Sequence, residues 1–440
     1  MGKVETKRST IWNLNLGLLG INFAWGLQMA NMSAIYESLG AKPDQIPILW
    51  LAAPLTGLLV QPIIGWLSDN TWCRWGRRRP YILIGAIFST VALFLMPLCH
   101  SILMAAILLW LLDAMINVGM GPFRALIPDV LPVHQQKLGF TIQGICIALG
   151  SVLASVFPWI LQHVFFVSHE VVVQGVPRLI QFSFWIGACV LIFTMFWTFF
   201  TVKETAPEVT MKSKFSIGAF LRNFKQDCLN MPTVMKDLSW VMMFSWAGMF
   251  CMFLYLPVAV IHKVFHAEVG TAAYEQGLVW VNVCFGAYSI FVLFSSLILP
   301  WLLSRFTPKF TYALCLLCGG LALASILFIK TPHQVLLLML GVGIAFGSML
   351  SIPYTLVSRS LPREKLGSFM GIFNLFIVIP EVIVSLGFGW VMEHLLGGER
   401  YLAVVCGGVC MLLASALALR VRLLPESEDE THLQTQESIS

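Results

Sequence analysis

Long apolar segments alternate with short polar ones along the whole chain, and this pattern allows few folds. Hydrophobic residues make up 58% of the 440 residues and charged residues only 11%. A soluble protein carries about a quarter charged residues, whereas a helix that crosses a bilayer needs about 20 apolar residues in succession. The pattern therefore predicts an all-α membrane protein.

We predict twelve transmembrane helices in two halves of six. The predicted spans are 11–38, 46–68, 80–98, 101–125, 138–166, 178–202, 237–263, 274–303, 310–330, 334–357, 367–394 and 400–422. The N-terminal half is then 1–202 and the C-terminal half 237–422, joined by a basic segment, 203–236, that we assign to the cytoplasm. The acidic tail, 423–440, is predicted to be disordered.

Lysine and arginine are distributed unevenly among the predicted loops, and this sets the orientation. Loops that stay in the cytoplasm are enriched in these residues. With the N-terminus inside, five of the 27 fall on the outer side: Lys42, Arg178, Lys263, Lys330 and Arg400. We therefore expect both termini in the cytoplasm, most simply at a bacterial inner membrane, and a monomer surrounded by lipid.

Several classes of function find no support in the sequence. There is no P-loop and no nucleophile–base pair, so we do not expect an enzyme. Histidines and cysteines lack the spacing of metal ligands, and we predict no cofactor besides a coupling proton. The net charge of +5 follows from the topology, so we expect no nucleic-acid partner.

A repeated motif relates the two halves. "LIPDVLPVHQQKLGF" follows the fourth span and "LVSRSLPREKLGSFMG" follows the tenth. Two six-helix repeats with a cytoplasmic linker resemble the major facilitator superfamily. The resemblance implies a substrate site near mid-membrane, between halves that rock around it.

The loop after the second span, "GWLSDNTWCRWGRRRP", is similar to a loop motif of that superfamily. Asp69 ends the second span and can pair with an arginine of the loop and with the end of a neighbouring helix. We predict a cytoplasmic latch between the halves that includes Asp69, Arg77, Arg78 and Arg124. The alternative is that the arginines only anchor the topology.

A narrower resemblance covers nearly the whole chain, from "NFAWGLQMA" to "LGFG". "VQPIIGWLSD", "RWGRRRP" and "GPFRALIPDVLP" are similar to sucrose transporters. These belong to the glycoside–pentoside–hexuronide:cation symporter group, which includes plant sucrose:proton symporters and the animal solute carrier family 45. The chain lacks the long central loop of the plant proteins, which suggests a bacterial member.

The fourth span carries an aspartate near its middle. Asp113, Asn117, Gly121 and Arg124 share one helical face, and Arg124 lies about 16 Å from Asp113, near the cytoplasmic mouth. A lone carboxylate in the membrane is costly unless it is used. The resemblance implies that Asp113 carries the coupling proton, and the alternative is a structural hydrogen bond.

The eleventh span carries a second carboxylate. Asn374, Glu381 and Ser385 share a face, and Pro380 bends the helix beside Glu381. The resembling transporters more often have glutamine at this position. We predict a second proton site, a hydroxyl acceptor or a gate hydrogen bond at Glu381, against a purely structural role.

Amide side chains recur every third residue in the first span. The predicted sugar-binding residues are Asn22, Trp25, Gln28, Asn31, Gln61, Asn117, Gln143 and Asn374, with Tyr274, Asn282, Tyr288 and Tyr354 as weaker candidates. Amides suit sugar hydroxyls, and the Trp25 indole offers a flat apolar face. The alternative for Trp25 is packing or an interface belt.

The favoured function is proton-coupled symport of a disaccharide or glucoside. Val279 stands where the resembling proteins place a basic residue, which also leaves open an uncoupled or exchange carrier of another small polar solute. A receptor that lost transport is the remaining alternative. Asp113 distinguishes the symporter from the uncoupled carrier, because a proton site at this residue predicts uptake that depends on pH.

Overall fold

The computed structural model describes residues 6–165, 176–204, 226, 228–359 and 366–422. Within these ranges the α-helices are α1 (Arg8–Ser38), α2 (Ile46–Leu49), α3 (Ala52–Asn70), α4 (Arg79–Leu95), α5 (Ile102–Val130), α6 (Val133–His163), α7 (Arg178–Thr201), α8 (Thr233–Val264), α9 (Ala272–Arg305), α10 (Pro308–Ala324), α11 (Pro332–Met349), α12 (Ile352–Arg359), α13 (Leu366–His394) and α14 (Arg400–Ala418). Most of the predicted linker and the predicted acidic tail lie outside the described residues.

The predicted all-α membrane fold is confirmed. Eleven of the spans that the structure describes are long and apolar enough to cross a membrane. The helix α1 is not one of these eleven. It has 31 residues and a length of about 45 Å, which is long enough to cross a membrane, but its amide side chains lower its mean hydropathy. The second and tenth spans each consist of two helices in succession, α2 with α3 and α11 with α12.

Close helix crossings hold each half together, and they depend on glycine. A Cβ on Gly150 of α6 would lie 2.3 Å from the Leu19 carbonyl oxygen of α1. In the other half, Gly248 of α8 and Gly407 of α14 face each other so closely that a Cβ on either would meet the other's carbonyl oxygen within 2.7 Å. Small residues let membrane helices pack with their backbones in contact.

The two halves meet along α1, α6 and α9, with α13 packed against α2 and α3. A Cβ on Gly286 of α9 would lie 3.2 Å from the Ser155 Cβ of α6, so these two helices are in direct contact. Successive spans run in opposite directions, which gives the molecule two ends. We call them the Glu37 end, where α1 and α8 finish, and the Arg77 end, where α3 finishes.

Candidate functional site

A buried carboxylate lies at the centre of the N-terminal half. Asp113 of α5 is 1% exposed, and the Gln28 amide of α1 donates to both of its carboxylate oxygens, at 3.0 and 3.3 Å. The Trp25 side chain, one turn earlier on α1, also faces the carboxylate. Three predicted site residues from two separate spans therefore meet at one point.

Asn117 extends this group to the second span. Its side-chain amide donates to the Asp113 carbonyl oxygen at 2.8 Å and to the Thr56 hydroxyl at 3.2 Å. Its oxygen accepts from Gln61 at 2.6 Å. Asp113, Gln28, Asn117, Gln61 and Thr56 form what we call the Asp113 network, which joins α1, α3 and α5.

A pair of amides connects the two halves. Asn31 donates to the Asn282 oxygen at 3.1 Å, and Asn282 donates back to Asn31 at 2.9 Å. Both side chains are fully buried. Buried amides that satisfy each other in this way specify one alignment of their helices, so the pair sets the position of α1 against α9.

The other predicted sugar-binding residues lie apart from the Asp113 network. Asn22 is buried and donates to the Leu18 carbonyl oxygen of its own helix. Gln143 of α6 is half-buried, and its side-chain nitrogen is buried without a partner among the described residues. Asn374 of α13 is exposed. Their predicted roles in binding stay predictions.

The C-terminal half contains a cluster of aromatic side chains. Rings of Phe253, Phe285, Tyr288 and Phe346 lie 5.6 to 6.3 Å apart, and Trp246 packs on Phe346. The Tyr288 hydroxyl and the Trp246 indole nitrogen are buried without partners among the described residues. This aromatic cluster joins α8, α9 and α11.

Glu381, the second predicted proton site, lies on α13 directly after Pro380, which is inside the helix as predicted. The side chain is half-buried, and no described residue hydrogen bonds to its carboxylate. Ser385, one turn later, has a buried hydroxyl that likewise has no partner in the described part of the chain. The role of Glu381 stays a prediction.

A charged cluster at the Glu37 end ties the halves together. Glu37 of α1 is 6% exposed, and it accepts from His262 of α8 at 2.9 Å and from the Tyr274 hydroxyl of α9 at 3.0 Å. Arg400, at the start of α14, forms an ion pair with the same carboxylate. Nearby, the Tyr255 hydroxyl donates to the Pro43 carbonyl oxygen at 2.8 Å.

We call Glu37, His262, Tyr274 and Arg400 the Glu37 cluster. Three of its residues, Glu37, His262 and Arg400, were not among the predicted site residues. Each lies at a helix end, where charged residues are usually interpreted as membrane-interface residues. One signal was available in the sequence: Glu37 is an acidic residue inside a predicted span, and such residues are rare without a partner.

At the Arg77 end, the predicted arginines bind acids within the N-terminal half. Arg77 and Arg78 both form ion pairs with Asp129 of α5, and the Arg78 guanidinium also donates to Ser68 at 2.6 Å. Glu204, after α7, accepts from the backbone N–H groups of both arginines at 2.9 to 3.1 Å. Asp129 and Glu204 were not predicted.

The remaining latch residues lie elsewhere. The Asp69 side chain is outside the described residues, although its backbone ends α3. Arg124 is exposed and lies near Tyr354 of the C-terminal half. The hydrogen bonds of Arg77 and Arg78 with Asp129, Ser68 and Glu204 do not reach the C-terminal half, so a latch that joins the two halves stays a prediction.

The geometry suits binding and proton transfer. Amides surround a carboxylate in the N-terminal half, aromatic rings cluster in the C-terminal half, and a polar cluster joins the halves at one end. Among the described residues, no group of three or more His, Cys, Asp or Glu side chains could hold a metal ion.

Comparisons with known proteins agree with this architecture. The sequence model of the Major Facilitator Superfamily matches residues 14–385. The "General alpha-glucoside permease" of Schizosaccharomyces pombe is 30% identical over 56% of this chain, which spans only 47% of the permease. "Sucrose transport protein SUC4" of Arabidopsis thaliana is 25% identical over 91% of this chain and 87% of its own length.

Solved structures show the same fold at low identity. The nucleoside transporter NupG has a TM-score of 0.70 at 13% identity, with 94% of this chain and 99% of NupG covered. A D-xylose-proton symporter has a TM-score of 0.66 at 16% identity, with 96% of this chain and 99% of the symporter covered.

Proposed function

Since the chain belongs to the Major Facilitator Superfamily and is a multi-pass integral membrane protein, we propose that it carries a sugar and a proton together across the membrane. The substrate class is sucrose, maltose or a related glucoside. The observation that carries the proposal is the Asp113 carboxylate, buried in the N-terminal half and held by Gln28. The named functions of the alpha-glucoside permease and the sucrose transport protein support the sugar.

Polar atoms without partners supply the contacts that sugar hydroxyls need. Among the described residues, these atoms include the Gln28 side-chain oxygen, the Gln143 side-chain nitrogen and the Tyr288 hydroxyl. Leaving such groups buried and unpaired costs about 1–3 kcal/mol each, and a hydroxylated ligand removes that cost. The Trp25 indole and the aromatic cluster offer apolar faces to the C–H groups of the ring.

The Gln28 amide links proton and sugar. It donates to Asp113 when the carboxylate is charged. Protonation turns one carboxylate oxygen into an O–H donor and removes the charge that strengthened the bond to the other. The amide nitrogen can then exchange this weaker bond for one to a sugar hydroxyl. Sugar then binds best to the protonated protein, which is the requirement for symport.

The driving force is sufficient with one proton. One charge that moves through 100 mV supplies about 2.3 kcal/mol. At about 150 mV this accumulates a neutral solute a few hundredfold, so Asp113 alone suffices. The mechanism involves no catalytic step and no cofactor besides the proton.

Alternating access follows from the two ends of the molecule. The Glu37 cluster joins α1 to α8, α9 and α14, so it closes that end, whereas the ion pairs of Asp129 lie within one half. We assign the Glu37 end to the outside of a bacterial inner membrane, with both termini in the cytoplasm and a monomeric carrier. The structure then represents a state that is closed to the outside.

Reconstituted liposomes test the proposal. We expect sucrose, maltose or another glucoside to drive proton entry into liposomes that contain the wild type, and Asp113→Asn to abolish it. Glu393→Gln is the matched control, since Glu393 is an exposed carboxylate of α13 and its loss leaves proton entry unchanged. Equal proton entry with the wild type and Asp113→Asn would contradict the assignment.

An uncoupled carrier is the second candidate, and one observation favours it. Val279 is 5% exposed and packs with Leu161 and Leu179 in a small apolar cluster, so no basic residue stands at this position to assist coupling. Sugar flux without proton movement in the same liposomes is the result that supports this candidate.

A further inference from the structure

A cavity opens at the Glu37 end of the C-terminal half, outside the Asp113 network. Its volume is about 240 Å³, which accommodates a phosphate group. It lies between the end of α8 and the start of α14, and its lining residues are Ala259, His262, Lys263, His266, Glu399, Arg400 and Tyr401. Four of these seven side chains are basic.

Lys263 and Arg400 are the permanent cations of this cavity. The Lys263 ammonium lies 4.0 Å from the centre of the Tyr401 ring and donates to the Leu327 carbonyl oxygen at 3.3 Å. The Arg400 guanidinium uses one nitrogen for Glu37, and its Nε is buried without a partner among the described residues. Each cation therefore keeps N–H groups for a ligand.

Two further features of the cavity favour a negative ligand. The helix α14 begins here at Arg400 without a side-chain cap, and although the Leu402 N–H donates to the Glu399 carbonyl oxygen, the start of a helix attracts anions. His266 has a φ of 49°, the one non-glycine residue with positive φ in the described ranges. This conformation ends α8, with the Ala267 N–H donating back to the Ile261 carbonyl oxygen, and it places His266 in the cavity lining.

We infer that this cavity is a binding site for an oxyanion of the phosphate type, held by Lys263, by Arg400 Nε and by the start of α14. Glu399 is the opposing charge in the lining, and it is exposed, so its carboxylate can turn to solvent. Two sources carry this chemistry, a lipid headgroup and a free ion. Beside the cavity, Leu327 and Phe328 are 42% and 79% exposed, an apolar surface suited to the chains of a lipid.

The site is coupled to the contact between the halves. Arg400 and His262 line the cavity and also hold Glu37. An oxyanion on Arg400 Nε fixes the guanidinium in the orientation that its ion pair with Glu37 needs. Occupancy therefore favours the state in which the Glu37 end is closed, and it does so without contact with the sugar.

The test measures binding to the purified full-length chain. Thermal unfolding in detergent is recorded against inorganic phosphate, since a ligand of the folded state raises the transition temperature increasingly as its concentration exceeds Kd. Native mass spectrometry then compares phosphatidylglycerol with phosphatidylcholine of the same acyl chains. Lys263→Ala is the main variant, and Lys330→Ala, an exposed lysine at the same end of the molecule, is its matched control.

We expect Lys263→Ala to weaken binding about tenfold, because it removes one charge-assisted contact, and Lys330→Ala to leave it unchanged. Glu399→Gln should strengthen binding, which keeps the test decisive if Lys263→Ala folds poorly.

Phosphate binding with this order of variants identifies the free ion, and the same order seen only with phosphatidylglycerol identifies the headgroup. Binding of neither ligand, equal effects of the two lysine variants, or weaker binding by Glu399→Gln would overturn the inference. Sugar transport plays no part in the measurement, so the outcome is independent of the proposed function.

Discussion

Neutralising Glu37 should open the Glu37 end of the molecule. The carboxylate accepts from His262 and Tyr274 and forms an ion pair with Arg400, and all three partners belong to the opposite half. Glu37→Gln keeps the shape of the side chain but removes its charge. Arg400 then loses its ion-pair partner in a mostly buried position.

The size of the effect follows from these contacts. A hydrogen bond to a charged group contributes about 1.5–3 kcal/mol. The Arg400 side chain is 24% exposed, so water recovers part of the lost interaction and about 2 kcal/mol remains. This changes the ratio of closed to open molecules about thirtyfold.

Double electron–electron resonance spectroscopy, which measures the distance distribution between two spin labels, reports this ratio of closed to open molecules. Labels at Lys42 and Glu268 are suitable, because both residues are exposed and lie on different halves at the same end. Glu37→Gln should lengthen the distance between the labels. Glu393→Gln, which removes an exposed carboxylate at that end, is the control. A Glu37→Gln distribution that matches the wild type would refute the closing role of the cluster.

A double-mutant cycle with Arg400→Gln separates the ion pair from the other contacts. If Glu37 acts chiefly through Arg400, Glu37→Gln adds little in the Arg400→Gln background. Additive effects would show that His262 and Tyr274 hold Glu37 without Arg400.

Three further variants test individual contacts, each by thermal unfolding of the purified protein. Gly150→Ala should lower the free energy of unfolding by about 1–3 kcal/mol, because the new Cβ would meet the Leu19 carbonyl oxygen at 2.3 Å. Gly144→Ala on the same helix is the control, since a Cβ there meets nothing within 4 Å. Equal stability of the two variants would refute the close crossing of α1 and α6. Asn282→Ala should lower the free energy of unfolding by about 1–3 kcal/mol, because it leaves the Asn31 amide without its buried partner. An unchanged stability would mean that the pair is not formed. Glu204→Ala should lower the free energy of unfolding by about 1–2 kcal/mol, because the carboxylate accepts from backbone N–H groups at the start of α4. Lys203→Ala is the neighbouring control, and an equal decrease in that variant would argue against capping by Glu204.

The helices were predictable because each needs only local information. A run of about 20 apolar residues identifies a span without knowledge of its neighbours. The breaks within the second and tenth spans were not predicted, and their sequences show why. Leu51 and Leu350, at the breaks, are apolar and keep the hydropathy continuous, so hydropathy does not mark the breaks, and the only local signals are Pro54 and Pro353 near the start of each new helix.

The Asp113 network was predictable in part. Asp113 and Asn117 share a helical face by their spacing, and Asn117 does bond to the Asp113 backbone. The contact between Asp113 and Gln28 depends on how α1 packs against α5, which spacing along one helix does not determine. The sequence therefore identified four members of the network, Asp113, Gln28, Asn117 and Gln61, but neither Thr56 nor which side chains pair.

The same reason explains the missed acids at the two ends. Arg77 and Arg78 were predicted from a local motif, whereas Asp129 and Glu204 lie about 50 and 125 residues away along the chain. His262 and Arg400 meet Glu37 from separate helices of the other half. Contacts between distant helix ends require the three-dimensional arrangement of the halves.

The first helix connects the proton site with the contact between the halves. Gln28 holds Asp113, and Asn31, three residues later on the same face, holds Asn282 of the opposite half. Glu37 lies near the end of this helix, in the Glu37 cluster. If the halves rock as units, Gln28 stays with Asp113, so the link requires that α1 shift relative to α5 as Asn31 separates from Asn282. We expect such a shift to tie the hydrogen bond on the Asp113 carboxylate to the conformational state of the protein, which is the physical link that the proposed proton coupling requires.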